Sequence, residues 1–304
     1  MSEDAARPKY SLIVSTRNRA QRLGACLDSI ASAKGIRPLA ELIVVDNGST
    51  DETASVIDEF VNRTPGLQVR IVTEPQAGLS RARNAGVRAS SAEFLLFTDD
   101  DCYLDGEYFN NLEQAIANNS FDYFSGNILL HKETYAPEGG FLKKDQIERL
   151  KARSIPAPGH LQGSNMGFSR RIFDRIGAFN VLIGAGTPFR FEDIEFAARA
   201  SLAGFEGIHL PHVQVVHDHG REYGSKELET IVRDNGLAAG AYCCELFLLD
   251  RQRALGYCAT HWRRLLSGLD GGTRRLRLEI LGAAAFVQYL LRKRIRPKLY
   301  QSFH

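Results

Sequence analysis

The chain opens with four short apolar runs: SLIVS (Ser11–Ser15), LIVVD (Leu42–Asp46), VRIVT (Val69–Thr73) and FLLFT (Phe94–Thr98). The first, second and fourth are almost continuously apolar, the pattern of strands buried on both faces. Helical periodicity fills the gaps. Across Ala20–Ala33, Leu23, Leu27, Ile30 and Ala31 share one side. STDE (Ser49–Glu52) reads as a capping box opening a helix toward Phe60, and Leu79–Ala89 is a third helix. Strand starts fall roughly 25 to 31 residues apart, which predicts a parallel sheet with crossover helices.

Beyond Leu104 the pattern loosens. It predicts a helix over Glu107–Asn118 and a strand over Tyr123–Leu130. A polar, Lys-, Pro- and Gly-rich stretch follows over 131–163, a loop with a helix at Asp145–Ala152. Next come a helix at Arg170–Ile176, a loop at Gly184–Pro188, a helix at Glu192–Ala203 and a short strand at Val213–Val216. The tail reads as helices over Leu237–Leu249 and Leu276–Arg294, stopped by Pro297. The expected fold class is α/β, a Rossmann-like, mostly parallel sheet flanked by helices. Residues 1–225 form that domain, and 226–304 a helical, basic extension.

The 304 residues are 44% apolar and 24% charged, which argues against wholesale disorder and gives enough chain for a core without staples. Five cysteines without a Cys-x-x-Cys spacing speak against a disulfide framework or zinc ribbon. MSEDAARPKY shows no secretory signal, so the expected location is cytoplasmic. Net charge is +2, yet 260–304 carry ten Lys and Arg against two acids, leaving the body weakly acidic. Such a distribution is unlike a nucleic-acid binder. The basic flanks of Leu276–Tyr289 instead suit an amphipathic helix on the anionic inner face of a membrane. The apolar stretch Ile280–Leu291 falls short of the about 20 residues that span a bilayer.

In open α/β sheets ligands bind beyond the carboxyl ends of the strands, and here those ends are polar: STRN (15–18), DNGS (46–49), Glu74-Pro75 and Asp99-Asp100-Asp101. Three adjacent carboxylates repel one another unless protons or a cation relieve them. The first and third can converge on a hard cation that bridges to phosphate oxygens. No G-x-G-x-x-G or Walker-type loop is present, so phosphates would be held by metal and by arginine, with Arg81 and Arg83 as candidates. RFED (190–193) places paired acids at a helix start, a candidate general base beside the small-residue loop GAGT (184–187). His209, His212, His217 and His219 cluster; a zinc hydrolase is one reading, and a single histidine completing a carboxylate site is the more economical one.

Seven segments, SLIVSTRNR (11–19), LIVVDNGSTDET (42–53), GLSRARNAG (78–86), LLFTDDDC (95–102), GSNMGFSRRIFDRIGAFN (163–180), GAGTPFRFEDIEFAARASLAG (184–204) and VVHDH (215–219), together resemble glycosyltransferase family 2 over residues 10 to 220. The resemblance implies a GT-A fold and metal-dependent, inverting sugar transfer from a UDP-, dTDP- or GDP-sugar to a glycan or lipid-linked hydroxyl, as in bacterial surface polysaccharide synthesis. It implies that Thr16, Arg17, Asn18, Asp46, Arg83, Asp99 and Asp100 bind nucleotide. Asp99, Asp101 and His217, with His219 as rival, would hold Mn2+ or Mg2+. Asp193 would be the catalytic base, and Gly163, Ser164, Asn165, Gly186 and Glu192 would form the sugar and acceptor cleft. The Q-x-x-R-W element of processive synthases is absent, which favours a non-processive enzyme. The alternatives are a sugar-nucleotide pyrophosphorylase, whose glycine-rich first loop STRNR lacks, and a non-catalytic nucleotide-sugar binder.

Overall fold

Strands β1 (Tyr10–Thr16), β2 (Ala40–Asp46), β3 (Val69–Thr73) and β4 (Phe94–Asp99) pair in parallel in the computed structural model, which describes residues 8–268 and 272–293. Between them run α1 (Ala20–Ser32), the short turn α2 (Ile36–Leu39), α3 (Thr53–Arg63) and α4 (Leu79–Ala89). Successive residues of these strands go to opposite cores. Leu12, Val14, Leu42 and Val44 pack with α1 and α3, whereas Ile13, Ile43, Val45 and Phe97 pack on the other face with Ala82 and Ala85 of α4. That double covering is why the runs are continuously apolar.

The chain then departs from simple alternation. After β5 (Cys102–Leu104) and α5 (Tyr108–Asn118) come β6 (Tyr123–Leu130), β7 (Glu148–Leu150), β8 (Met166–Ser169), α6 (Arg170–Ile176), α7 (Glu192–Leu202) and β9 (Gly207–His217). The sheet order is β3-β2-β1-β4-β8-β6-β9-β5, with β7 added to β9. β8 runs antiparallel to both β4 and β6, and β6 is parallel to β9. Phe97, Phe168, Phe173, Phe179 and Phe196 form one aromatic cluster, with Phe179 and Phe196 centroids 4.4 Å apart. This cluster locks the inner face of α7 behind β4 and β8, so the residues at the start of α7 sit on a rigid wall.

Several expectations need correction. Asp145–Ala152 is not helical: Glu148–Leu150 is an edge strand on β9, formed by tertiary pairing of a polar segment. The STDE segment is not a capping box. The Ser49 hydroxyl accepts from Asn18 N at 3.0 Å, and Asp51 Oδ1 accepts from the Thr53 amide at 3.1 Å at the start of α3. β9 is far longer than Val213–Val216. It contains Pro211, tolerated where the register shifts opposite Gly126/Asn127, with its carbonyl taken by Asn127 Nδ2 at 2.9 Å.

The tail is three helices, α8 (Lys226–Leu249), α9 (Arg251–Leu266) and α10 (Gly272–Arg292), so the first begins eleven residues earlier than the apolar pattern suggests. Arg294 and Pro297 lie outside the described residues. Tyr242, Leu246 and Ala254 join the Phe168 core, and Phe286 packs with Phe189.

Candidate active site

Register brings the strand ends to one edge: Thr16 pairs with Asp46, and Ser15 with Asp99. Beyond them opens a cleft of about 670 Å³, within the ~300–1,000 Å³ span of small-molecule sites. It is lined by Thr16, Arg17, Arg83 and Asp99–Asp101, and also by Gly163, Ser164, Gly186, Glu192, Asp193 and His217. Residues from six separate segments of the sequence therefore face one space.

Arg83 ties these parts together. It projects from α4 and is 2% exposed. Its Nη1 donates to Glu192 Oε1 at 2.7 Å and its Nη2 to Asp99 Oδ1 at 3.2 Å. The second oxygen of Asp99 accepts from the Ser164 hydroxyl at 2.7 Å. Gly163 permits this ladder: a Cβ there would lie 2.2 Å from Arg83 Nη2. The guanidinium thus neutralises one acid from each side of the cleft, and burial makes that pairing matter.

The acidic run has three distinct environments. Burial, with Asp101 and Asp99 nearby, pushes the Asp100 carboxyl up to about 7 despite Thr16 and Arg19. Burial also works against the Asp101 carboxylate, but the hydrogen bond and charge of His217 outweigh it and hold its pKa below the ordinary value. His217 Nε2 sits 3.2 Å from Asp101 Oδ1, and its Nδ1 donates to the Gly140 carbonyl at 3.1 Å. Gly140 has φ +136°, and a Cβ there would meet the His217 ring at 2.6 Å. The glycine therefore sets the imidazole orientation.

Ligand atoms of Asp99, Asp101, Cys102 and His217 all lie within 4.8 Å of one another. Two carboxylates and an imidazole fixed through its other nitrogen form an oxygen-rich donor set that fits Mg2+ or Mn2+. Burial and the neighbouring carboxylates push the Cys102 thiol well above its ordinary pKa, which keeps it neutral and a weak donor.

Asp193 occupies the first turn of α7. Its Oδ2 accepts from Gly163 N at 2.7 Å and its Oδ1 from Ile194 N at 2.7 Å. Burial, then the charge of Glu192, raise its carboxyl to about 6, with Arg83 and the two amides pulling the other way. Such a group is ionised at neutral pH yet more basic than an ordinary aspartate.

Other expected site residues lie off this lining. Asp46 Oδ1 accepts from Ser49 N at 2.9 Å at the end of β2. Asn18, with φ +53°, accepts from Thr50 N at 2.8 Å. Asn165 is fully buried, its amide donating to the carbonyls of Asn127 and Val213 at 2.9 Å each, so it braces the floor from behind. Arg81 is also off the lining. Of the histidines, His209 is buried against Asn127 and His212 is exposed. His219 packs at a tilt against Tyr135 with ring centroids 4.9 Å apart.

Sequence reading missed Asn47, whose amide donates to Glu74 O and Gln76 O at 2.8 Å each and accepts from Gly78 N, fastening the loop before α4. It also passed over Arg19 and Arg221, which line the cleft; Arg221 two residues after VVHDHG's last histidine was the available signal.

The model of the family described as "Glycosyl transferase family 2" matches residues 11–177, more than half of the chain, and the chain belongs to that family. The chain is 28% identical over 202 residues to the glycosyltransferase AglE of Haloferax volcanii, an alignment covering 65% of this chain and 63% of that relative. The chain thus spans less than two thirds of that curated relative. The structure of residues 1–349 of Staphylococcus aureus TarS in complex with UDP-GlcNAc superposes with a TM-score of 0.64 at 17% identity, covering 92% of this chain and 81% of that one. The mannosyltransferase PcManGT from Pyrobaculum calidifontis, in complex with GDP-Man and Mn2+, gives 0.59 at 19% identity, covering 98% and 86%. These likenesses show the GT-A fold.

Proposed function

We propose that this family 2 chain is a non-processive glycosyltransferase that moves a sugar from a nucleotide-diphospho-sugar to a hydroxyl of a glycan or lipid-linked acceptor, with inversion. The observation that carries the reading is the shared cleft. Asp99, Asp101 and His217 face the same space as Asp193, and Arg83 bridges Asp99 to Glu192, the residue before Asp193. The donors seen in the TarS and PcManGT structures, UDP-GlcNAc and GDP-Man, support a nucleotide-sugar donor.

Asp99, Asp101 and His217 would hold Mn2+ or Mg2+, which supplies neutralisation of charge growing on the leaving diphosphate. Thr16, Arg17 and Asp100 form the nucleotide side, with Asp46 and Asn18 shaping the adjoining loops. Ser164 and Arg83 fix the Asp99 carboxylate. On the other side Asp193 accepts the proton of the attacking hydroxyl; its two backbone amide bonds leave a lone pair on each oxygen free and hold the carboxylate in place. Gly163, Gly186 and Glu192 bound the sugar.

Asp193→Asn is expected to abolish transfer while nucleoside diphosphate affinity with Mn2+ stays within about twofold, because removing a base affects the transition state and not ground-state binding. Turnover near that of the parent would remove Asp193 from this role.

The tail supports a peripheral membrane contact on the cytoplasmic face. Ile280, Leu281, Val287 and Leu291 are exposed on α10 between Arg274 and Arg277 at one end and Arg292 and Lys293 at the other. Among the described residues no helix is long and apolar enough to cross a membrane.

A further inference from the structure

Four residues lining the cleft come from the helical tail, well beyond the segment that matches the family: Ile231, Val232 and Asn235 of α8, and Arg275 of α10. Their position follows from how α10 is locked on α8. The two helices cross with backbones in contact: a Cβ on Gly240 would lie 1.8 Å from the Glu279 carbonyl oxygen, and one on Gly282 would lie 2.0 Å from the Leu237 carbonyl oxygen. Side-chain repacking cannot shift such a crossing, so the register of α10 is fixed.

That register buries Glu279 to 2% exposure. A carboxylate so placed needs partners, and it has two: His261 Nε2 of α9, 3.0 Å from both oxygens, and Arg275 Nε at 3.3 Å. Arg275 spends its Nε on Glu279. Its side chain is 41% exposed, and Glu279 is its hydrogen-bonding partner among the described residues. The three helices of the tail therefore cooperate to hold one guanidinium in the cleft wall. Beside it on the lining stand Val232, 46% exposed, and half-buried Ile231. A nucleoside diphosphate has no need of two apolar side chains next to a cation. An amphiphilic anion does.

We propose that this lip is the acceptor subsite, taking a phosphate on Arg275 and the adjoining apolar chain over Ile231 and Val232. This rests on the glycosyltransferase reading and names its acceptor class. Glu279 and His261 are positioning residues that act through Arg275.

The test uses the full chain with Mn2+ and whichever of UDP, GDP or dTDP it binds. Farnesyl phosphate, farnesol and inorganic phosphate serve as probes, read by calorimetry. The parent is expected to bind farnesyl phosphate at least tenfold more tightly than farnesol or inorganic phosphate. Arg275→Ala should erase that preference while nucleotide affinity stays within twofold, and Arg275→Lys should restore part of it. Glu279→Gln should reduce the preference with farnesol binding unchanged, a split that loss of packing alone would not give. Equal binding of farnesol and its phosphate would overturn the proposal. So would a loss of nucleotide affinity in Arg275→Ala matching the loss for farnesyl phosphate, which would assign Arg275 to the donor diphosphate. Absence of nucleotide binding by the parent would instead overturn the functional reading beneath it.

Discussion

Replacing Arg83 with methionine tests the electrostatic frame of the site, because it keeps most of the side-chain volume and removes the charge. The Glu192 side chain is 8% exposed and that of Asp99 is 30% exposed. The cost therefore falls mainly on Glu192, left as a buried carboxylate without its partner. Breaking a buried pair in this way costs about 3–5 kcal/mol. In a domain of this size that is a fall in Tm of roughly 6–20 °C. The second effect is on Asp193, the proposed base. Asp193 titrates at about 6, and Arg83 is one of the groups holding it down. At pH 7 a carboxyl with that pKa is about 90% ionised, and loss of the guanidinium lowers that fraction. Because the base works deprotonated, activity is lost as pH falls through its pKa. Arg83→Met should move that acid limb to higher pH. The assay is the pH dependence of kcat/KM for donor turnover from pH 5 to 9, with thermal melts alongside. Adding Glu192→Gln should recover much of the stability and bring the limb back down, since Glu192 raises Asp193. An unchanged Tm together with an unchanged limb would refute the reasoning.

Other substitutions probe separate parts. Gly140→Ala places a methyl against the His217 ring at a positive φ, and should weaken Mn2+-dependent nucleotide binding by at least about tenfold while leaving metal-free binding as it is, as read by calorimetry. Gly240→Ala drives a Cβ into the Glu279 carbonyl, and should lower the denaturant midpoint by the equivalent of about 1–3 kcal/mol or more; an unchanged midpoint would mean that the α8–α10 crossing is not tight. The pair Ile280→Glu and Leu291→Glu should reduce co-sedimentation of the full chain with anionic vesicles while leaving Tm within a few degrees, because both positions are exposed.

The first half of the chain was legible because β1, β2 and β4 are covered on both faces. Continuous apolar runs at Leu42–Val45 or Phe94–Phe97 have few other readings, and the acidic triplet follows one of them directly. The second half hid its strands. β8 is only four residues with a glycine inside, and β7 is the polar edge segment Glu-Arg-Leu, which takes its conformation from pairing with β9. The first turns of α8 are polar and exposed, so their apolar signal is faint, and they are helical through the Ser225 cap, whose hydroxyl accepts from Leu228 N at 3.2 Å. The candidate site followed the same division. Asp99, Asp101 and Asp193 announce themselves by charge at element ends. The roles of Asn47, Gly140 and Arg275 depend on contacts 27 to 77 residues away or on a helix crossing, and no local pattern carries these.

The most direct test of the account is a crystal of the protein soaked with Mn2+ and UDP or GDP, read by the anomalous signal of the metal. The account predicts a single peak among Asp99, Asp101 and His217, with the diphosphate against it and Asp193 facing the same space. A peak elsewhere, or a nucleotide bound outside this cleft, would contradict it.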